Sequence, residues 1–214
     1  ASVEQGLEAA LESALAHWLY HDEIWLRGNA KAKAEILLAI ARVRHALVLF
    51  GGIVPRKATT HLRALLNDAD AVLLAADTAD EALFRTEVVG AKLALTEWLV
   101  QRGWRPFLNE AGEKKIAGSF KRFADIHLSR VAAELRSAVQ HLAVEDAADQ
   151  LPKLSRDIDS VQLLAGAYGD AVAPWLENWQ ELQRAIEHDD RSVFEYFRRQ
   201  ALAAEPFWLH SGKR

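Results

Sequence analysis

All five prolines of this 214-residue chain, Pro55, Pro106, Pro152, Pro174 and Pro206, sit where one apolar helical pattern stops or the next begins. Proline lacks the amide proton that a helix interior needs, so this placement leaves long uninterrupted helical stretches between them. Strand signals are poor, because Ala and Leu dominate and no β-branched alternating run reaches useful length. Leu7, Leu11, Leu15 and Trp18 recur on one helical face, and their pattern runs through Trp25 to a stop at Gly28-Asn29. The spacing predicts a second helix from about residue 30 to 50, stopped by Gly51-Gly52, and a third from Pro55 to about 76. Asp77-Thr78 supplies a turn with a candidate cap, and a fourth helix follows over about 79–102, with Gly90 as a tolerated weak point. Residues 109–118 read as a linker. Four more helices are expected: about 119–140, about 150–168, one opened by Pro174, and one set off by Asp189-Asp190 and closed by Pro206. The fold class is therefore all-α, with two antiparallel four-helix units over 1–108 and 109–214. A faint echo supports halving: Arg42-x4-Leu47-x-Leu49-x2-Gly52 matches Arg156-x4-Val161-x-Leu163-x2-Gly166.

Composition bounds the classes of partner. Half of the residues are apolar and 26% charged, enough to bury one good core or two smaller ones. A sequence pI of about 6.1 argues against a dedicated duplex-DNA binder. The longest apolar run, Ala46 to Val54, is too short to cross a bilayer, so no membrane partner is expected. The first residues lack a basic region followed by an apolar one, which makes the cytoplasm the expected location. With no Cys, disulfides, thiolate ligands and cysteine nucleophiles are all removed. The chain also holds no Met, even at its first position, and an N-terminal partner domain of the same polypeptide is expected.

Charge is strongly segregated. Between Glu35 and Asp68 there is no acidic residue, yet Arg42, Arg44, His45, Arg56, Lys57, His61 and Arg63 lie there. Such segregation points to an anionic partner rather than to a fold. Arg42 and His45 are three apart on helix two, and on helix three Lys57 and His61 are four apart and Arg56 and Arg63 seven. Folded back antiparallel, the two helices would bring these groups together. Pro55 leaves the early amides of helix three free, so Arg56, Lys57, Thr59 and Thr60 are expected near a partial positive pole that suits a phosphate oxygen. The alternative is a set of solvated faces paired with acids from elsewhere. A nucleotide loop is excluded, because Gly51-Gly52 is not followed by Gly-Lys-Ser/Thr and no strand precedes it.

Other constellations are weaker. Lys114, Lys115, Lys121, Arg122 and Arg130 form a second basic stretch that reads as a solvated face, and His127 reads as a hydrogen-bonded core histidine. His17 and His21, four apart, make half of a helical metal site with no third ligand identifiable in the sequence. Asp157 and Asp159, like Asp68 and Asp70, are two apart and point to different helical faces, so neither pair clasps one magnesium unaided. No serine, histidine and acid trio is readable from spacing. The seven Trp residues are core or groove anchors by default, and Trp208 in the final Pro206-Phe207-Trp208-Leu209-His210 is expected to dock this tail onto its bundle.

Several segments are family-like: Arg-His-Ala-Leu-Val-Leu-Phe-Gly-Gly-Ile-Val-Pro-Arg-Lys (44–57), Ala-Lys-Leu-Ala-Leu-Thr-Glu-Trp-Leu-Val (91–100) and Ser-Phe-Lys-Arg-Phe-Ala-Asp-Ile-His-Leu-Ser-Arg (119–130). Trp-Leu-Glu-Asn-Trp-Gln (175–180) and the end Glu-Pro-Phe-Trp-Leu-His-Ser-Gly-Lys-Arg (205–214) complete the set. Over nearly the whole chain they resemble the CHAD domain, in the version that follows a CYTH catalytic domain in enterobacterial inorganic triphosphatases, once loosely labelled adenylate cyclases. The resemblance implies two helical bundles with an approximate twofold and a basic cavity that binds inorganic polyphosphate or a similar phosphate anion. Arg42 and Arg44 fall on the family's basic helix-two motif, and Lys153 and Arg156 on its second-half counterpart. Ala34 and Pro152 stand where the family's naming histidines would be expected, Asp157 and Asp159 interrupt the second basic run, and Asn67 replaces an arginine. The Glu-x-Glu-x-Lys motif of the CYTH tunnel is absent from these 214 residues. No catalysis and no cofactor is therefore expected here, the divalent metal belonging to the CYTH domain that would be the N-terminal partner. A non-catalytic phosphate-binding accessory domain is the leading expectation. A purely structural or orienting domain comes second, and an independent hydrolase using His17 and His21 last.

Overall fold

The computed structural model describes residues 1–209, whose regular elements are all helices, with no strand among them. Residues 210–214, the end of the family-like terminal segment with His210, lie outside the described residues. No helix is long and apolar enough to cross a membrane among the described residues. The chain forms two compact units, one of residues 2–118 and one of Ala1 with the chain from Ser119 onward.

The first unit holds α1 (Val3–Leu26), α2 (Ala32–Leu49), α3 (Thr60–Ala75), the single turn α4 (Ala79–Ala82), α5 (Thr86–Val100) and α6 (Glu110–Ile116). α1 opens with a reciprocal cap, in which Gln5 N donates to Ser2 Oγ (3.1 Å) and Ser2 N donates to Gln5 Oε1 (2.9 Å). It ends at Gly28, whose φ of +103° is open to glycine at little cost. α1 packs along α2 and α3 along α5, with α2 against α3 and α1 against α5 closing the group. Each helix contributes a stripe at the three-and-four spacing: Leu7, Leu11, Ala14 and Trp18; Ile36, Ile40, Val43 and Leu47; Leu62, Leu66 and Leu73; Val88, Leu95 and Leu99. Burial of each large aliphatic side chain contributes roughly 1.5–3 kcal/mol, so this ladder of apolar contacts outweighs any one surface charge. Leu15, expected in the α1 stripe, is half-buried, and Ala14 takes the seam instead.

Three expectations are corrected. The predicted fourth helix is broken at residues 83–85, where Leu83 turns into the core; Leu83 N donates to the Ala79 carbonyl (2.8 Å) and Arg85 N to that of Ala82 (3.1 Å). Gly90 is tolerated inside an intact α5, as expected. The predicted linker 109–118 contains α6, capped by Asn109 Oδ1, which accepts from Gly112 N at 2.8 Å, and anchored by the buried Ile116. The third helix starts later than expected, because Pro55 leads into a 3-10 turn, Arg56–Ala58, before α3 begins at Thr60. Its far end is held by Lys33 of α2, whose ammonium donates to the carbonyls of Leu74 (3.0 Å) and Ala76 (2.7 Å).

The second unit is built from α7 (Phe120–Val139), α8 (Leu151–Leu164), α9 (Val172–Glu187) and α10 (Arg191–Ala203). Successive helices pack on one another, α7 on α8, α8 on α9 and α9 on α10, and a 3-10 stretch over Val144–Gln150 is a further element that periodicity did not disclose. Ser119 caps α7, its Oγ accepting from Arg122 N at 3.3 Å. Pro152 and Pro174 both stand in first turns, where no amide proton is needed. The two echo segments each start within a helix, α2 or α8, and run past its end, to Gly52 in the turn after α2 and to Gly166 in the 3-10 turn after α8.

Candidate functional site

On α2 the buried residue Val43 is flanked by Arg42, Arg44 and His45, which are half-buried as a result. Arg44 is committed to α3: its guanidinium donates to Asn67 Oδ1 at 2.8 Å and lies 3.4 Å from Asp70 Oδ1. The absence of acids along residues 36–67 is thus not an absence in space, since Asp70 returns on the next helix. Arg42 and His45 also have partners.

The turn from α2 to α3 is wound around two carbonyls. Ile53 N and Val54 N both donate to the Phe50 carbonyl (3.0 and 2.9 Å), which seats Val54 in the core. The Arg56 carbonyl then accepts from Thr59 Oγ1 (2.9 Å), Thr60 Oγ1 (3.1 Å) and a guanidinium nitrogen of Arg63 (3.3 Å), while Arg63 Nε donates to Thr59 Oγ1 at 3.0 Å. Thr59 is buried, and its hydroxyl and that of the exposed Thr60 both donate to the Arg56 carbonyl. Arg63 is likewise a tie within the turn. Arg56, Lys57 and His61 remain exposed, and among the described residues none of the three is in an ion pair. Arg56 and Lys57 stand in the 3-10 turn that leads into α3, and His61 in the first turn of α3, which receives no side-chain cap from Thr59. The amides expected to be free after Pro55 are in part filled, Ala58 N donating to the Pro55 carbonyl and Thr59 N to that of Arg56, both at 3.0 Å.

In the second unit, Lys153 and Arg156 sit one turn apart on α8 beside the buried Asp157. Burial pushes the Asp157 carboxyl up to about 6, helped by the charge and hydrogen bond of Glu134 on α7, with Lys153 and Arg156 pulling the other way. The folded value exceeds the ordinary 3.8, so the stability this group contributes is complete below about 3.8 and is lost as pH rises through about 6. Asp157→Asn, which cannot ionise yet can still donate to Glu134, is expected to raise unfolding stability at pH 7.5 by about 2 kcal/mol. Denaturant curves at pH 7.5 and 4.5 check this, the gain shrinking toward zero at the lower pH.

The second basic stretch is largely neutralised along its own helices. Lys114 pairs with Glu110 (3.6 Å), Lys121 with Asp125 (3.1 Å) and Arg130 with Glu134 (3.0 Å). His127 is half-buried against Phe123, with ring centroids 4.2 Å apart; burial and then the charge of Arg130 hold its imidazole below the ordinary range.

Sequence spacing missed one grouping. His17 Nε2 lies 2.8 Å from Glu35 Oε2, and His21 Nδ1 lies 2.7 Å from the His17 carbonyl, so the third ligand-type group beside the α1 histidines comes from the first turn of α2. The only available signal was that α1 and α2, joined by a short turn, must run side by side.

The CHAD domain family profile matches residues 9–199. The crystal structure of the CHAD domain from the plant Ricinus communis is similar with a TM-score of 0.54 at 17% identity, over 95% of this chain and 86% of that one. At that identity the likeness shows the fold. With the family profile spanning most of its length and the fold matching, the chain belongs to the CHAD domain family.

Proposed function

We propose that this CHAD domain is a non-catalytic accessory module that binds inorganic polyphosphate, or a related phosphate anion, on behalf of an attached CYTH-type inorganic triphosphatase domain. The observation that carries the reading is the trio Arg56, Lys57 and His61, exposed around the start of α3 with no ion pair among the described residues. A guanidinium offers phosphate a planar fork and an ammonium a point charge, and the partial positive pole of α3, which has no side-chain cap, adds to both. Within the first unit, Arg42, Arg44 and His45 on α2 and Arg63 on α3 are assigned supporting roles, with Arg44 and Arg63 acting through the loop and helix geometry they maintain; Lys153 and Arg156 on α8 are assigned phosphate contact in the second unit by itself. Polyphosphate titrated into the protein at 50 and 250 mM salt is expected to bind at least about tenfold more weakly at the higher salt, as a polyanion contact does. The double variant Arg56→Ala with Lys57→Ala is expected to lose most of the binding at low salt. Absence of binding by the parent at low salt ends the proposal.

A second reading, a domain that only stabilises or orients its neighbour, is favoured by the commitment of Arg44 to Asn67 and Asp70. It predicts that the Arg56 and Lys57 variants behave as the parent does in every respect.

A further inference from the structure

We propose that His17, His21 and Glu35 form a site for a borderline divalent transition metal, zinc being the reference ion, that clips α1 to α2. The two histidines lie one helical turn apart on α1, with ring centroids 4.2 Å apart, and Glu35 reaches them from α2. One ligand atom from each of the three lies within 4.8 Å of the others. A tetrahedral zinc with bonds of 2.0–2.1 Å needs its ligand atoms about 3.4 Å apart, so closure asks for a side-chain movement of roughly 1 Å. All three groups are half-buried, with side-chain exposures of 28% for His17 and 44% for Glu35, which anchors them while leaving that movement free.

The hydrogen bonds prepare the donors. His21 Nδ1 donates to the His17 carbonyl at 2.7 Å, which places the proton on Nδ1 and leaves the Nε2 lone pair for a metal. His17 Nε2 and Glu35 Oε2, 2.8 Å apart, share a proton that a metal would displace. The neighbouring acids on α1 are otherwise engaged: Asp22 is paired with Lys92 at 2.7 Å and Glu23 with Arg27 at 2.5 Å. Two imidazoles and one carboxylate suit zinc, nickel or copper rather than magnesium or calcium, and solvent completes the fourth position. The site is distinct from the basic turn and requires no phosphate binding. Its consequence is mechanical: a metal held by the folded hairpin stabilises the first unit by mass action.

The test uses the untagged 214-residue chain, since a polyhistidine tag competes for the same ions. Cobalt(II) titrated into the protein is expected to give the visible absorption of a four-coordinate centre at one equivalent, displaced by zinc. Zinc affinity, measured by competition with a chromophoric chelator, is expected to fall at least tenfold in His21→Ala and in Glu35→Gln. The thermal midpoint should rise with zinc in the parent and not in either variant, with far-UV circular dichroism confirming the fold. Glu35→Gln conserves shape and hydrogen bonding, so it isolates the ligand role from any structural one. The proposal is overturned by the absence of stoichiometric binding in the parent, or by zinc affinities in both variants equal to the parent's.

Discussion

Trp208→Ala is expected to lower unfolding stability by about 3–5 kcal/mol, the range for emptying a buried aromatic site. The indole is 5% exposed, although it lies past the last helix, in a 3-10 turn over Phe207–Leu209. It meets the Trp175 ring edge-on at 5.5 Å, and Trp175 packs on Trp179 at 6.0 Å, so the tail extends an aromatic column begun inside α9. Phe207 braces the same column, edge-on to Trp208 at 5.1 Å and to Tyr168 at 5.1 Å. Trp208 Nε1 donates to Ser129 Oγ of α7 at 3.0 Å, which fixes the ring's orientation. Denaturant unfolding followed by far-UV circular dichroism measures the loss. Ser129→Ala separates the parts: it removes the acceptor but not the packing, and is expected to cost no more than about 1 kcal/mol because Ser129 is exposed and water can replace it. A Trp208→Ala loss below about 1 kcal/mol would show that the aromatic column does not stabilise the second unit.

Glu4→Ala is expected to cost about 2–4 kcal/mol, the second largest effect. Glu4 lies in the first turn of α1, where a negative charge also meets the positive pole of the helix. Its carboxylate accepts from Trp104 Nε1 at 2.8 Å and Arg105 Nε at 2.9 Å, takes a second bond from Arg105, and lies 3.6 Å from Arg102. It thereby straps the turn after α5 onto the start of α1, a turn in which Arg102 adopts a φ of +51°. Trp104 is fully buried, so losing its acceptor leaves a donor with no replacement, whereas Arg102 and Arg105 are about half-exposed and return to water. Most of the cost therefore comes from the indole, about 1–3 kcal/mol, and the remainder from packing and the partly screened charges. Burial raises the Glu4 carboxyl, but the Arg105 and Trp104 hydrogen bonds and the two arginine charges outweigh it and hold the group below the ordinary 4.5. A depressed folded value means stability that is present above 4.5 and lost as pH falls through the folded value. Glu4→Gln keeps an acceptor for Trp104, so it is expected to lose less than the alanine variant at pH 7 and to approach the parent in acid. Equal losses for both variants at pH 7 would place the effect in the charges instead.

The helices were legible because their signals are local. Apolar spacing on α1, α2 and α3, the stop at Gly28 and the cap at Thr78 follow from backbone geometry within one or two turns. The break at Leu83 was not legible, since burying that side chain is worth more than continuing the helix and depends on what lies beneath it. The 109–118 segment misled for the opposite reason: its glycines suggested a linker, while an asparagine cap and one buried isoleucine suffice for a two-turn helix.

The charged groups divide in the same way. The acid-free stretch around Gly51-Gly52 is visible in the sequence, as is the Trp-rich tail, and both depend only on which residues are adjacent. The tertiary structure alone decided that Arg44 is tied to Asp70, that Arg63 turns back on the Arg56 carbonyl, and that Glu35 meets His17. Helical periodicity specifies the face on which a side chain sits, but a charge is neutralised or left available by the face of another helix brought against it. That pairing is set by the packing of whole apolar stripes, which no local pattern contains.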